Sequence, residues 1–168
     1  MDEDDRYAAL FRQHYPRLVG LAARVLGDRD EAQEAAQEAL LALRSDPVAT
    51  RGTDDIAAWL SRVVSNNSLN RLRSRRRALV RAQLAGSTNG PADPQDPADA
   101  AVAADDRERV RAALATLPER QATALLLRHD GHPYKTIAAA LGIADGSVGV
   151  LLARGERAFR SAYEEMTR

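Results

Sequence analysis

The chain of 168 residues has no cysteine, few aromatic residues and no long hydrophobic run. Without cysteine it can form neither a disulfide nor a thiolate metal site. No apolar run is long enough to cross a bilayer, and the acidic residues 2–5 are unlike a signal peptide, so we expect a cytoplasmic protein. The low aromatic fraction of 4% and the abundance of alanine and leucine favour helices over sheet.

The sequence also lacks an excess of either charge, because its formal net charge is zero. This balance at first argues against a nucleic-acid partner, but the charges are unevenly distributed. Acidic residues gather at 2–5, 31–38 and 93–106, and basic residues gather at 71–81 and in the last predicted helix. A chain divided in this way can contact DNA with one surface and a basic protein with another.

No group of residues typical of an active site is present. His129 and His132 lie on either side of a predicted turn, and a metal site there would need further ligands in a fixed geometry. Glu34 and Glu38 form a carboxylate pair without an acid–base partner, and there is no glycine-rich phosphate loop. We therefore expect no enzymatic activity, no cofactor and no metal.

Apolar periodicity predicts an all-α fold with two small helical domains. The first domain is predicted at residues 1–84 and the second at 99–168. Residues 85–98 contain three prolines together with glycine, asparagine and aspartate, and they have no apolar periodicity. This composition predicts a flexible acidic linker.

Several polar residues are predicted to cap helices. Asp28 and Glu31 have the spacing of a capping box, which predicts a helix start just after Gly27. Thr53 is expected to cap the helix that carries the tryptophan, after a loop at residues 45–52. Asp145 is expected to cap the last helix.

The segment 59–77 begins as an amphipathic helix and ends in a run of arginines. Its apolar side predicts a core contribution from Ile56, Trp59, Leu60, Val63 and Val64. At helical spacing, the other face carries Arg62, Asn66, Asn70, Arg73 and Arg77. Guanidinium groups bind phosphates, and amides donate and accept at base edges, so this face suits nucleic acid. The alternative is an ordinary solvated helix face with a basic end.

Residues 134–152 have the layout of a helix-turn-helix. The predicted contacts between its two short helices are Ile137, Leu141, Ile143, Val148 and Leu151. Gly142 lies at the turn, where a left-handed conformation is needed. The helix that begins at Gly146 would enter a major groove, and its candidate DNA contacts are Ser147, Val150, Arg154 and Arg157. The alternative is an ordinary corner in a helical bundle.

Together these segments resemble one family, the extracytoplasmic-function (ECF) sigma factors, which are the small two-domain class of bacterial sigma factors. The resemblance rests on FRQHYPRLVGLAARVLGDRDEAQEAAQEALLAL, on AWLSRVVSNNSLNRLRSRRR, and on LPERQATALLLR followed by the helix-turn-helix. It covers nearly the whole chain. It implies a region 2-like domain that binds core polymerase and opens the −10 element, and a region 4-like domain that reads the −35 element.

The resemblance also implies partners and residue roles. The partners are the β and β′ subunits of core RNA polymerase and promoter DNA; an anti-sigma factor is common in the family, although no residue here identifies one. The docking helix would present Glu34, Gln37, Glu38 and Leu41. Asn66 would lie near a flipped −10 base, with residues 45–52 forming its pocket. Asn70 stands where the family commonly has aspartate, and Arg71 and Arg73 follow as in the family.

The chain differs from the family in its recognition helix. Gly149, Val150, Leu151 and Ala153 stand where polar or basic residues are common. We therefore expect weak sequence reading by this helix. Two alternatives to a sigma factor are a stand-alone helix-turn-helix regulator and a polymerase-binding adaptor.

Overall fold

The computed structural model describes residues 3–86 and 98–168, and the helices found there confirm the all-α prediction. They are α1 (Glu3–Leu26), α2 (Arg29–Leu43), α3 (Thr53–Leu84), α4 (Ala98–Thr116), α5 (Glu119–His129), α6 (Tyr134–Leu141) and α7 (Asp145–Glu165). A 3-10 helix, Pro47–Thr50, lies between α2 and α3. Most of the predicted linker 85–98 falls outside the described residues.

Helix starts follow the capping predictions only in part. Asp28 accepts a hydrogen bond of 2.9 Å from the backbone N–H of Glu31, as predicted. The expectations for Thr53 and Asp145 were wrong, because each is the first residue of its helix and not the cap. Acidic side chains in the first turns of α3 and α7 instead favour these helix starts through the helix dipole.

The first domain packs α1, α2 and α3 around an alanine stripe on α2. Ala32, Ala35, Ala36 and Ala39 are completely buried. Because their side chains are small, α1 and α3 can approach α2 closely, and large leucines fill the space beside the stripe: Leu21, Leu26, Leu40, Leu43, Leu60 and Leu69. Burying one such leucine contributes roughly 1.5–3 kcal/mol.

The second domain contains the predicted helix-turn-helix. Ile137 and Ala138 of α6 pack against Val148 and Leu152 of α7, and these residues form one buried cluster. Gly142 adopts the left-handed conformation with a φ of 63°, which lets the chain turn between the helices. The axes of α6 and α7 differ by 90°.

The two domains share a core. Leu114, Leu117, Ala122 and Leu126 of the second domain belong to the same buried cluster as the leucines of the first. Both α4 and α5 therefore pack on α3. No single helix in the described ranges is long and apolar enough to span a membrane; α6 and α7 satisfy that criterion only as a bent pair.

Candidate nucleic-acid interface

The face of α3 predicted to contact DNA is partly covered by the second domain. Thr123 of α5 donates a hydrogen bond of 2.6 Å to Oδ1 of Asn66. Nη2 of Arg73 donates to the carbonyl oxygen of Leu117 at 2.8 Å, and its Nε donates to the carbonyl of Ala115 at 3.3 Å. The candidate base reader and one candidate phosphate ligand are therefore occupied within the chain.

A polar cluster holds the same interface nearer the start of α3. The carboxylate of Asp130 accepts hydrogen bonds from Ser61 at 3.0 Å and from Arg17 at 2.7 Å, and His132 lies 3.3 Å from it. The Asp130 side chain is only 6% exposed. Burial acts to raise the pKa of this carboxyl, but the hydrogen bond with His132 and the charge of Arg17 outweigh it, so the pKa is lowered.

The predicted base-pocket loop borders a cleft of about 430 Å³ between the two domains. One wall is formed by the loop and the start of α3, including Val48 and Trp59, and the opposite wall by α6 residues such as Thr136 and Ala139. Trp59 is half-buried against the core, as predicted. The guanidinium of Arg62 lies 6.0 Å from the centre of its ring and also lines the cleft. The cleft is large enough for a nucleobase.

Arg71 does not lie with the other candidate DNA ligands. It forms ion pairs of 3.0 Å with Glu34 and 2.9 Å with Glu38, both on α2. These two carboxylates belong to the predicted polymerase-docking set, whose members are all exposed on α2: Glu34, Gln37, Glu38 and Leu41. Arg71 thus joins the two predicted surfaces of the first domain.

The remaining predicted residues of α3 are open to solvent. Asn70 and Arg77 are exposed, and Arg77 contacts only Ser74, at 3.3 Å, among the hydrogen bonds of the described residues. Arg75, within the same arginine run, instead binds Glu31 and the carbonyl oxygen of Leu26, at 2.9 Å, and fastens α3 to the helices beneath it.

The candidate −35 residues share one exposed face of α7. Ser147, Val150, Arg154 and Arg157 follow each other at steps of three or four residues, and all four are exposed. Nearby, the guanidinium of Arg128 lies 5.4 Å from the centre of the Tyr134 ring, at the start of α6. Within the part of the chain that the structure describes, these four exposed residues form no hydrogen bond or ion pair with the first domain.

Family comparisons assign both domains. Residues 10–78 match the model of Sigma-70 region 2, and residues 107–159 match that of Sigma-70 region 4. The ECF RNA polymerase sigma factor SigM of Mycobacterium tuberculosis is 32% identical over 153 residues, which are 89% of this chain and 74% of that protein. The chain belongs to the ECF sigma factors. SigL of the same species is 34% identical over 161 residues, covering 94% of this chain and 89% of that protein.

An ECF sigma factor binds core RNA polymerase and directs promoter-specific transcription initiation, and it is not an enzyme. The fold agrees with this assignment. The structure of the sigma factor RpoE from Bartonella quintana, in complex with the anti-sigma factor NepR, superposes with a TM-score of 0.54. That likeness covers 94% of this ECF sigma factor and 96% of RpoE at 20% sequence identity.

The contacts that cover α3 could not be read from the sequence. Thr123 lies 57 positions from Asn66, and Ser61 lies 69 positions from Asp130. No local pattern pairs such distant residues. One signal in the sequence could have indicated such contacts. Small polar residues such as Ser61 and Thr123 lie among apolar residues on the buried sides of their helices, and buried hydroxyl groups need hydrogen-bond partners.

Proposed function

We propose that this sigma factor contacts its promoter with two helices, α3 at the −10 element and α7 at the −35 element. The observation that carries the proposal is that each helix arranges its candidate DNA ligands on one face. On α3 this face includes Asn66, Arg73 and Arg77; on α7 it includes Arg154 and Arg157. The protein acts in the cytoplasm, where polymerase and promoter DNA are found.

Docking on core polymerase is assigned to α2. Its outer face combines two carboxylates, Glu34 and Glu38, with the amide of Gln37 and with Leu41, which is 61% exposed. An apolar side chain among acidic ones fits a basic protein surface with an apolar centre, such as the clamp of the β′ subunit. The ion pairs with Arg71 keep both carboxylates in place before docking.

The −10 role is assigned to Asn66 and the loop at residues 45–52. An unpaired base enters beside this loop. Once the second domain has moved away, the Asn66 amide, one helical turn beyond the cleft-lining Arg62, forms hydrogen bonds to the edge of that base. Arg62, Arg73 and Arg77 bind phosphates of the same strand, with Asn70 beside them, and Arg71 can join them once it leaves α2. Binding energy for the extruded base drives melting, so this chain needs no nucleotide hydrolysis.

This role requires the second domain to move away from α3. In the arrangement described above, Thr123 occupies the Asn66 amide, and α6 forms one wall of the cleft. That hydrogen bond competes with a base for the Asn66 side-chain oxygen, so base reading is favoured once the second domain moves away. The structure therefore corresponds to a closed arrangement, and promoter opening uses an open one.

Run-off transcription with core RNA polymerase of the host bacterium tests the proposal. Specific initiation that depends on this protein is the expected result. If core polymerase neither binds the protein nor initiates with it, the proposal fails, and the helix-turn-helix regulator becomes the better account. Tight duplex binding without polymerase would point the same way.

The Asn66→Ala variant tests the residue assignment. It should impair open-complex formation, measured by permanganate reactivity of the −10 strand, while core binding is retained. Gln83→Ala is the matched control, because it removes an exposed amide further along the same helix. Equal losses of core binding and open-complex formation in Asn66→Ala would contradict a base-reading role.

We also include an anti-sigma factor among the proposed partners. The support is the similar RpoE structure, which is that of a sigma factor bound to the anti-sigma factor NepR. Such a partner would bind the sigma factor in its open or its closed arrangement of the two domains. Addition of a purified candidate anti-sigma factor should then abolish run-off transcription by core polymerase with this protein.

A further inference from the structure

The exposed face of α7 has an apolar residue at its centre. Val150 is 55% exposed, whereas Val148 and Leu152 on either side of it in sequence are buried against α5 and α6. Because those two residues fix the rotation of the helix, Val150 cannot turn into the core. Its isopropyl group is held outward between Ser147 and Arg154.

The surroundings of Val150 match duplex DNA better than a protein surface. Arg154 and Arg157 lie on the same face one and two turns further along, and Lys135 is exposed at the start of α6. In a helix-turn-helix docked on DNA, the first turns of the second helix approach the base edges while flanking cations contact phosphates. Val150, in the second turn of α7, lies in the part of the helix that such docking brings to the bases, with cations further along α7 and at the start of α6.

Neighbouring positions of α7 offer little hydrogen bonding to bases. Gly149 has no side chain, and a Cβ there would lie 3.8 Å from the ring of Tyr134, which covers that part of the helix. Gly146 also lacks a side chain. Ser147 is the one hydroxyl on this part of the face. The only other hydrogen-bonding side chain in the first turn is the exposed carboxylate of Asp145. Hydrogen bonds to bases from these turns are therefore few, and an apolar contact carries a larger share.

We propose that Val150 reads the C5-methyl group of a thymine in the −35 element. The methyl is the apolar feature that a base pair presents in the major groove, and it marks thymine against the other three bases. This inference rests on the proposed −35 role of α7. The inference adds the chemical feature that Val150 recognises, which is a thymine methyl group in the major groove. The thymine can belong to either strand of the −35 element.

The test starts from holoenzyme containing the full chain and a promoter library randomised at the −35 element. Selection should yield a motif with at least one strongly preferred thymine. Replacing that thymine by deoxyuridine removes only the methyl group, and this should weaken promoter binding by about fourfold, the loss expected for one buried methyl. Placing 5-methylcytosine in the same position should restore part of the affinity lost with cytosine.

Variants of Val150 connect the effect to the residue. Val150→Ala should abolish the difference between thymine and deoxyuridine, and Val150→Ile should retain it. Glu156→Ala is the matched control, because Glu156 is exposed on the same helix outside the candidate DNA face, and it should leave the difference unchanged. Circular dichroism confirms that the variants fold.

The failing outcomes separate the inference from the proposed function. A selected motif whose thymines can all be replaced by deoxyuridine without loss would overturn the role of Val150 and leave the −35 role of α7 intact. The same holds if Val150→Ala keeps the full deoxyuridine penalty. If selection yields no −35 motif at all, both the inference and the proposed −35 role fail.

Discussion

Thr123 donates a hydrogen bond of 2.6 Å to the side-chain oxygen of Asn66, so a residue of the second domain occupies the candidate base reader of the first. Thr123 is 1% exposed, and its hydroxyl is therefore shielded from water. In the closed arrangement the amide cannot accept a hydrogen bond from a base at the same place. Thr123 and a base therefore compete for this oxygen.

Thr123→Val should shift the protein towards the open arrangement. The substitution keeps the shape of the side chain but removes the donor, which costs the closed arrangement about 1 kcal/mol, or roughly fivefold in equilibrium. Core-free protein should then bind single-stranded DNA carrying the −10 element more tightly by up to about that factor. Fluorescence anisotropy with a labelled oligonucleotide measures this change.

The control for this measurement is Thr116→Val. The Thr116 hydroxyl donates to the carbonyl of Ala113 at 2.7 Å within α4, so its loss should not affect domain closure. An unchanged affinity in Thr123→Val, or an equal gain in both variants, would count against the hydrogen bond as a closing contact.

Asp130→Asn should lower the free energy of unfolding at neutral pH by about 2 kcal/mol, because hydrogen bonds to a buried charge are lost or weakened. The pKa of Asp130 is lowered in the folded chain, so the folded state favours the ionised carboxylate. Its contribution is present in full above the ordinary value of 3.8 and is lost as the pH falls through the lowered pKa.

Urea unfolding of the wild type and of Asp130→Asn, at neutral pH and at several values below 4, tests this sign. The difference between the two proteins should shrink as the pH falls. A difference that stays constant across the range would show that ionisation of Asp130 does not stabilise the fold. Glu156→Gln is a suitable control, since that carboxylate is exposed in the middle of α7.

Arg77→Ala should weaken promoter binding by holoenzyme and make it less salt-dependent. Arg77 is exposed on the candidate DNA face and should neutralise one phosphate, so the slope of log K against log salt should decrease by about one. Thermal stability should change little. Arg107→Ala, an exposed arginine on α4, is the control. An unchanged slope in Arg77→Ala would exclude a phosphate contact.

Two glycine substitutions should have opposite effects on stability. A Cβ at Gly155 would lie 3.2 Å from Leu125 and 3.3 Å from the carbonyl oxygen of Gln121, so Gly155→Ala should force α5 and α7 apart and cost about 1 kcal/mol. At Gly20 a Cβ would have no neighbour within 4 Å, so Gly20→Ala should stabilise α1 by about 0.5–1 kcal/mol. Denaturant unfolding gives both values, and two changes of the same sign would contradict the packing argument.

Features fixed by short-range patterns could be predicted from the sequence. The capping contact of Asp28, the left-handed turn at Gly142 and the buried alanine stripe of α2 each depend on residues within one or two helical turns. The helix-turn-helix was predicted for the same reason. Thr53 and Asp145 were predicted as caps but are the first residues of their helices, one position after the true caps. The error arose because acidic and hydroxyl residues are favoured both at the cap and in the first turn of a helix.

The closed arrangement could not be predicted, because it depends on how two domains pack across a linker. The side of α3 that carries Asn66 and Arg73 was identified correctly as one face by its spacing. What covers that face depends on Thr123 and on the carbonyls at the end of α4, which no helical period relates to α3. Arg71 was grouped with the DNA ligands by its place in the arginine run, yet it pairs with α2.

The position of Arg71 would thermodynamically link the two binding roles that we propose for the first domain. Its ion pairs with Glu34 and Glu38 must loosen if the polymerase clamp takes those carboxylates, and the released guanidinium then carries an unbalanced positive charge beside α3. Such a charge increases affinity for a nucleic-acid strand. By reciprocity, a strand that takes Arg71 leaves both carboxylates better able to bind the clamp, with the same coupling free energy. One side chain can thus make holoenzyme assembly and promoter binding mutually reinforcing.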